Sequence, residues 1–267
     1  MPELPDVEGF KRLLARNALG KTIARVVVSD ARILGKLSAR TFASRLRGAR
    51  LIAARRHGKH LMASVDRGGW LTLHFGMTGA LQFVRNGDGE PPFTRVRLDF
   101  SDDGCLAYTN KRMIGRVGLA EDAAVFVADE QLGPDALDRR FDVDAFKTAV
   151  LGIKRDVKSV LMDQQIMAGI GNIYADEILF HARINPAERM HKLAPIQLKR
   201  LFLDMRKVLK TAIARGAGSE QFTGRMPKRS LLPERNKEGH CPRCRSLLKM
   251  LKVGGRSTFC CPRCQGC

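Results

Sequence analysis

Two Cys-x-x-C pairs stand near the end of the 267-residue chain, Cys241-Pro242-Arg243-Cys244 and Cys261-Pro262-Arg263-Cys264, with sixteen residues between them. Four thiolates on a hairpin-sized spacer can surround one ion tetrahedrally, the arrangement Zn²⁺ takes in structural sites; iron is the other metal such a set admits. Cys260 adjoins Cys261 and offers a substitute ligand, but alternation along a strand points it the other way. Cys267 reads as a frayed terminal thiol, and Cys105 as a small buried apolar group. Every cysteine but Cys105 lies within residues 241–267, and in a chain with no export signal that crowding points to metal rather than disulfides. The spacer holds Gly254-Gly255-Arg256-Ser257-Thr258-Phe259, a turn whose basic tip either reaches a phosphate or adds one more solvated arginine.

The other end of the chain offers a nucleophile. Removal of Met1 exposes the secondary amine of Pro2, and an α-amino group titrating near pH 8 (roughly 7.7–8.0) is partly unprotonated at neutral pH. Such an amine attacks a sugar C1′ or an aldehyde to give an iminium, and Glu3 beside it is placed to shuttle protons. Taken alone, these residues favour a plainer reading, in which Pro2 shields the terminus and Pro5 starts a helix. A third group is Gly169-Ile170-Gly171-Asn172. Two glycines admit a ligand close to the backbone, Asn172 is placed to cap the following helix, and amides at a helix N-terminus make a ready phosphate site.

These groups need elements to hold them. Val7, Phe10, Leu13 and Leu14 follow Pro5 at helical spacing, with Gly20 as a stop. Strand-like runs come next at 23–28, 51–54, 61–65, 70–75 and 80–84, then a hairpin formed by 95–100 and 105–108. Helical periodicity takes over at 141–151, 157–164, 172–182 and 195–215, and a polar stretch over 216–240 reads as containing a mobile loop with few apolar anchors. The reading is an α+β fold: an N-terminal β-sandwich led by a helix (1–132), a helical domain (133–238) and a cysteine hairpin (239–267). Lys and Arg total 47 against 27 Asp and Glu, a net charge of +20 and a pI near 10.3, so a polyanion is the expected partner. No apolar run is long enough for a bilayer and no signal peptide opens the chain, so a membrane role is excluded and a cytoplasmic protein expected.

The opening Pro2-Glu3-Leu4-Pro5-Asp6-Val7-Glu8 resembles that of the formamidopyrimidine-DNA glycosylase/endonuclease VIII family. Further blocks match in unchanged order: 56–61 (RHGKHL), 74–79 (HFGMTG), 168–177 (AGIGNIYADE) and the ribbon with 255–259 (GRSTF). The resemblance covers nearly the whole chain, and Leu4 favours the formamidopyrimidine branch. It implies a helix–two-turns–helix element in the helical domain and a zinc ribbon at the end. It also implies a monomeric base-excision repair enzyme, with glycosylase and abasic-site lyase activities, acting on damaged double-stranded DNA. Pro2 would be the nucleophile and Glu3 the proton-transfer group, with Lys59 and Arg256 close to the chemistry. Lys59, His74, Asn172 and Arg256 would contact DNA, Met77 would fill the gap left by a flipped nucleotide, and Arg112 would face the orphaned base. Oxidised purines such as 8-oxoguanine and formamidopyrimidines are the expected substrates. Oxidised pyrimidines or abasic sites, and a non-cutting damaged-DNA binder, are the rivals; no recognition-helix pattern supports a duplex-sequence regulator. Three departures bear on substrate choice: Asp6 where glutamate is common, Ile114 where an aromatic wedge is usual, and a short 216–240 segment.

Overall fold

The first helix, α1 (Leu4–Asn17), carries Asp6 in its first turn and Arg16 in its last, each charge near the dipole end it complements. The computed structural model describes residues 1–219 and 222–267. These fall into two units, one of Met1–Pro2 with Asp6–Glu130 and the other of Glu3–Pro5 with Gln131–Cys267.

In the first unit the chain continues through β1 (Ile23–Val28), α2 (Ala39–Leu46), β2 (Leu51–His57), β3 (His60–Val65), β4 (Trp70–His74), β5 (Gly79–Val84), β6 (Thr94–Phe100), β7 (Cys105–Asn110), β8 (Arg116–Ala120) and α3 (Ala123–Asp129). Two antiparallel four-stranded sheets result, ordered β1-β6-β7-β5 and β2-β3-β4-β8. Alternation makes β6 bury every second residue, Thr94, Val96, Leu98 and Phe100. Their core takes in Val7 and Leu14 of α1, Phe42 and Leu46 of α2, and inward residues of both sheets such as Leu61, Leu73, Val96 and Leu106. The expected sandwich is therefore present. The sequence reading did not include α2, β8 or α3. α2 has only Phe42 and Leu46 as buried residues, and its start is marked by Ser38, whose side chain accepts from Thr41 N.

The second unit holds α4 (Val143–Val150), α5 (Val157–Met162), α6 (Asn172–Ala182), α7 (Pro195–Arg215), the hairpin β9 (Lys249–Val253) with β10 (Arg256–Cys260), and the short α8 (Pro262–Gln265). α6 is central: Tyr174 to Phe180 are all buried, so it shows no polar face along that stretch. Its core partners include Val157, Val160 and Leu161 of α5 and Leu201, Met205 and Leu209 of α7. Asp142 and Asp156 cap α4 and α5 through their side chains.

Three expectations are corrected here. Asn172 does not cap α6; it is the first helical residue, and Gly171 takes the cap position without a side-chain bond. Cys267 is no free thiol, because it is disulfide-bonded to Cys260 and ties the chain end to β10. The 216–240 stretch has apolar anchors, since Met226, Leu231 and Leu232 are buried and short 3₁₀ turns occupy Thr223–Arg225 and Leu232–Glu234. Residues 220 and 221 of that expected loop lie outside the described residues.

Candidate active site and nucleic-acid interface

Glu3 is fully buried. Its carboxylate accepts from three amides at the start of α6: Gly171 N at 2.7 Å, Ile173 N at 2.8 Å and Tyr174 N at 3.2 Å. The Leu4 amide meanwhile donates to Gly169 O at 3.0 Å. The glycines are explained by this approach. A Cβ on Gly171 would lie 2.5 Å from Glu3 Cδ, and one on Gly169 would lie 2.5 Å from Leu4 Cδ1. The sequence reading had these amides facing a phosphate; the anion in front of them is the chain's own Glu3. Gln164 fixes the same loop, accepting from Gly169 N at 3.0 Å and donating to Met162 O at 2.6 Å and Ile170 O at 2.8 Å. Asn172, next to this cradle, has a buried Oδ1 with no protein partner among the described residues.

A second buried cluster joins α6 to the cysteine hairpin. Asp176 of α6 pairs with Lys158 of α5 at 2.7 Å and with Arg235 at 2.8 Å, and accepts from Phe259 N of β10 at 3.1 Å. Lys158 also donates to Thr258 Oγ1 at 2.7 Å and Ser257 O at 3.2 Å. Both charges of the Lys158–Asp176 pair are sealed from solvent. Burial pulls the lysine's pKa down and pushes the aspartate's up, each opposed by its partner's charge. β10 is thereby locked to α6, and Arg256 at the start of that strand projects as an exposed residue. The turn of the hairpin is Gly254-Gly255, so Arg256 follows the tip rather than forming it.

The sulfurs of Cys241, Cys244, Cys261 and Cys264 all lie within 4.8 Å of one another, with Cys241 and Cys264 at 3.8 Å. A tetrahedron built on zinc–sulfur bonds of about 2.3 Å spaces its sulfurs by about 3.8 Å, so the set fits that ion. The cluster rests on Phe180, Leu231 and Leu248, and Arg243 stacks on the Phe180 ring at 4.3 Å.

In the first unit Pro2 is half-buried. Lys59 occupies the two-residue turn between β2 and β3 and is 8% exposed, so it is not a solvent-facing strand lysine. His74 stacks on its cross-strand neighbour His60 with ring centroids 4.8 Å apart. Burial, then the charges of His74 and His57, brings His60 down to about 3. Burial, then Lys59 and Arg116, brings His74 down to about 4. Both rings are accordingly neutral at pH 7.

Glu8 of α1 bridges Lys11 at 2.8 Å and Arg56 of β2 at 3.2 Å. Burial alone would raise its pKa, but Lys11 and then Arg56 outweigh that and hold it below the usual carboxylate range.

Met77 is half-buried on the turn that closes with Gly79 N to Phe75 O. Arg112 is exposed, and its amide donates to Thr78 Oγ1 at 3.1 Å. The two loops are fitted backbone to backbone, since a Cβ on Gly76 would lie 2.6 Å from the carbonyl carbon of Ile114. Asn110 secures the joint by donating to Phe75 O at 3.1 Å, and Tyr108 does so by donating to His74 O at 2.8 Å. Met77, Arg112 and Ile114 therefore share one edge. The sequence reading assigned no role to Asn110, Tyr108, Gln164, Lys158, Asp176 or Arg235. Gln164 acts within its own loop, no more than six residues away; nothing local marks the other five, because each acts on a partner distant in sequence.

Three family models match the chain in order. The formamidopyrimidine-DNA glycosylase N-terminal domain covers residues 1–117, the formamidopyrimidine-DNA glycosylase H2TH domain covers 132–223, and a zinc finger found in FPG and IleRS covers 240–266. A formamidopyrimidine-DNA glycosylase of Carboxydothermus hydrogenoformans is 35% identical over 271 residues, covering 99% of this chain and 100% of that one. Among solved structures, the Lactococcus lactis enzyme in complex with DNA containing N7-benzyl-Fapy-dG is similar with a TM-score of 0.89 and 27% identity, covering 99% of each chain. The same enzyme bound non-covalently to abasic-site DNA gives a TM-score of 0.88 at 25% identity, covering 98% of this chain and 99% of that one. The four-cysteine cluster is the site of one structural zinc ion.

Proposed function

The chain belongs to the formamidopyrimidine-DNA glycosylase family, and on that premise we propose that it excises oxidised purines from duplex DNA and then cuts the strand. The observation that carries this reading is the Glu3 carboxylate, adjacent in sequence to Pro2 and oriented by three amides of α6. Once Met1 is removed, the Pro2 amine attacks C1′ of the damaged nucleotide. The bond from C1′ to the base breaks as the Pro2 nitrogen bonds to C1′, and the base leaves with the proton that this nitrogen gives up. Glu3 in its protonated form then hands its proton to the ring oxygen as the C1′–O4′ bond breaks, and the iminium joins Pro2 to the opened sugar. Loss of a C2′ proton expels the 3′ phosphate, a second elimination expels the 5′ phosphate, and a one-nucleotide gap remains.

Holding the carboxylate by backbone amides fixes it without relying on a mobile side chain, as proton transfer at a reacting centre requires. Lys59, His74, Asn172 and Arg256 contact the DNA in this reading, with Lys59 and Arg256 nearest the reacting nucleotide. The unpartnered Oδ1 leaves the Asn172 amide group available to DNA. Met77 fills the space left by the extruded nucleotide, and Arg112 faces the orphaned base. The zinc hairpin presents Arg256 on a stapled strand, which lowers the entropy lost on gripping a phosphate. The charge of +20 supplies the general attraction for DNA. No helix among the described residues is long and apolar enough to cross a membrane, and we place the enzyme as a monomer in the cytoplasm, at the nucleoid.

The test is incision of a duplex carrying one 8-oxoguanine. The reading predicts release of the base and a gap flanked by phosphates at both ends. An intact strand across oxidised purines, oxidised pyrimidines and abasic sites would contradict it.

A further inference from the structure

Phe93 sits in the turn Pro91-Pro92-Phe93-Thr94, closed by Thr94 Oγ1 donating to Pro91 O at 2.7 Å. Its φ is 64°, the left-handed region that favours glycine at this point of a turn. A bulky residue held there is expected to gain burial in exchange, yet the ring is 48% exposed. Two cations flank it: Lys111 Nζ lies 5.5 Å and the Arg95 guanidinium 6.0 Å from the ring centroid. The backbone beneath is fixed, with Asn110 N donating to Phe93 O at 3.0 Å and Arg95 Nε donating to Asn110 O at 3.0 Å. Asn110 leads directly into Lys111, Arg112 and Ile114, and Ile114 is 49% exposed. Phe93 thus belongs to the edge that carries Met77, Arg112 and the exposed, non-aromatic Ile114.

A flat apolar ring between two cations matches a ligand with flat apolar faces and regularly spaced anions. Nucleic acid has both: bases stack on aromatic rings while phosphates meet the neighbouring charges. We propose that Phe93 is a base-stacking residue, holding a base of the strand opposite the lesion and supplying the planar contact that Ile114 cannot. The proposal rests on the glycosylase reading.

Three variants test it on duplexes with 2-aminopurine opposite an 8-oxoguanine or an abasic analogue. Phe93→Gly relieves the backbone, so its melting temperature stays level or rises. Its affinity for the lesion duplex falls roughly five- to a hundredfold, the range of one lost base–aromatic stack. Phe93→Trp keeps wild-type affinity and quenches 2-aminopurine fluorescence as wild type does. Phe93→Leu, apolar but not planar, behaves like the glycine variant. If Phe93→Gly is less stable, Phe93→Asn, also tolerant of positive φ, is measured in its place with the same expectation. Wild-type affinity in the glycine or leucine variant overturns the inference while leaving the glycosylase reading intact. Failure of the wild-type enzyme to bind or cut any lesion duplex overturns both.

Discussion

The start of α6 and the loop edge of the N-terminal unit solve opposite problems. At α6, Glu3, Lys158 and Asp176 are buried, with Glu3 held by backbone amides, Asp176 paired with Lys158, and Lys158 also donating to Thr258 Oγ1 and Ser257 O. At the loop edge, Arg112, Ile114 and Phe93 project into solvent from loops whose backbones are held tightly. Groups that move protons must be fixed before the substrate arrives. Groups that read DNA must stay exposed, and they keep their precision through a rigid base. The same chain therefore keeps its buried polar interactions around Glu3 and α6, where the proposed chemistry lies, and leaves apolar surface exposed on the edge proposed to grip DNA.

The largest effect is expected from the smallest change. Gly171→Ala would drive a methyl group into the Glu3 carboxyl, and misplacing it by about an ångström should cost on the order of a hundredfold in the single-turnover excision rate. An unchanged rate would remove Glu3 from the chemistry.

Next comes the metal. Cys244→Ser, or chelation, should release one zinc per chain and with it the hairpin that presents Arg256. Lesion binding should fall at least tenfold, while the N-terminal sandwich keeps its unfolding transition. Loss of zinc with no loss of binding would separate the ribbon from DNA recognition.

Third, Asp176→Asn leaves Lys158 buried beside a neutral group, and urea unfolding should show a loss of about 3–5 kcal/mol. The pair Lys158→Met with Asp176→Leu should recover part of it, because no uncompensated charge stays inside. Equal losses in the single and double variants would mean that packing, not charge pairing, dominates there.

The smallest effect is one of pH. His60 and His74 have pKa values brought down to about 3 and about 4, below the roughly 6.5 of an unfolded histidine. The unfolded chain binds more protons between these values, so their contribution is fully present above pH 6.5 and lost as pH falls toward 4. His60→Phe should flatten the melting-temperature profile of the N-terminal unit across that window. A profile as steep as wild type would show that other groups set it.

Much of this architecture is legible in the residues. Strand-like apolar runs mark most of the strands, and the boundaries read for β1, α6 and α7 coincide with those observed. The four-cysteine cluster follows from spacing alone, because each knuckle is local. The elements that escape are short or poorly marked: β8 spans five residues and has Gly118 in its interior, and α2 has two buried apolar positions. The site is less legible than the fold for a different reason. Glu3 meets Gly171 across 168 residues, and Arg235 meets Asp176 across 59. The glycine pattern at 169–171 correctly announces a close approach to the backbone, but not that the approaching group is the chain's own carboxylate. Cys260 and Cys267 make a similar case, since nothing in their spacing separates a disulfide partner from a spare ligand.

The most direct measurement is borohydride trapping on a duplex with a single abasic site, comparing the enzyme with a free Pro2 terminus against one retaining extra N-terminal residues. The account predicts a covalent protein–DNA adduct with the first and none with the second, with both proteins binding the duplex. An adduct that persists when the terminus is blocked would place the nucleophile elsewhere. No adduct from either form, despite tight binding, would contradict the lyase mechanism itself.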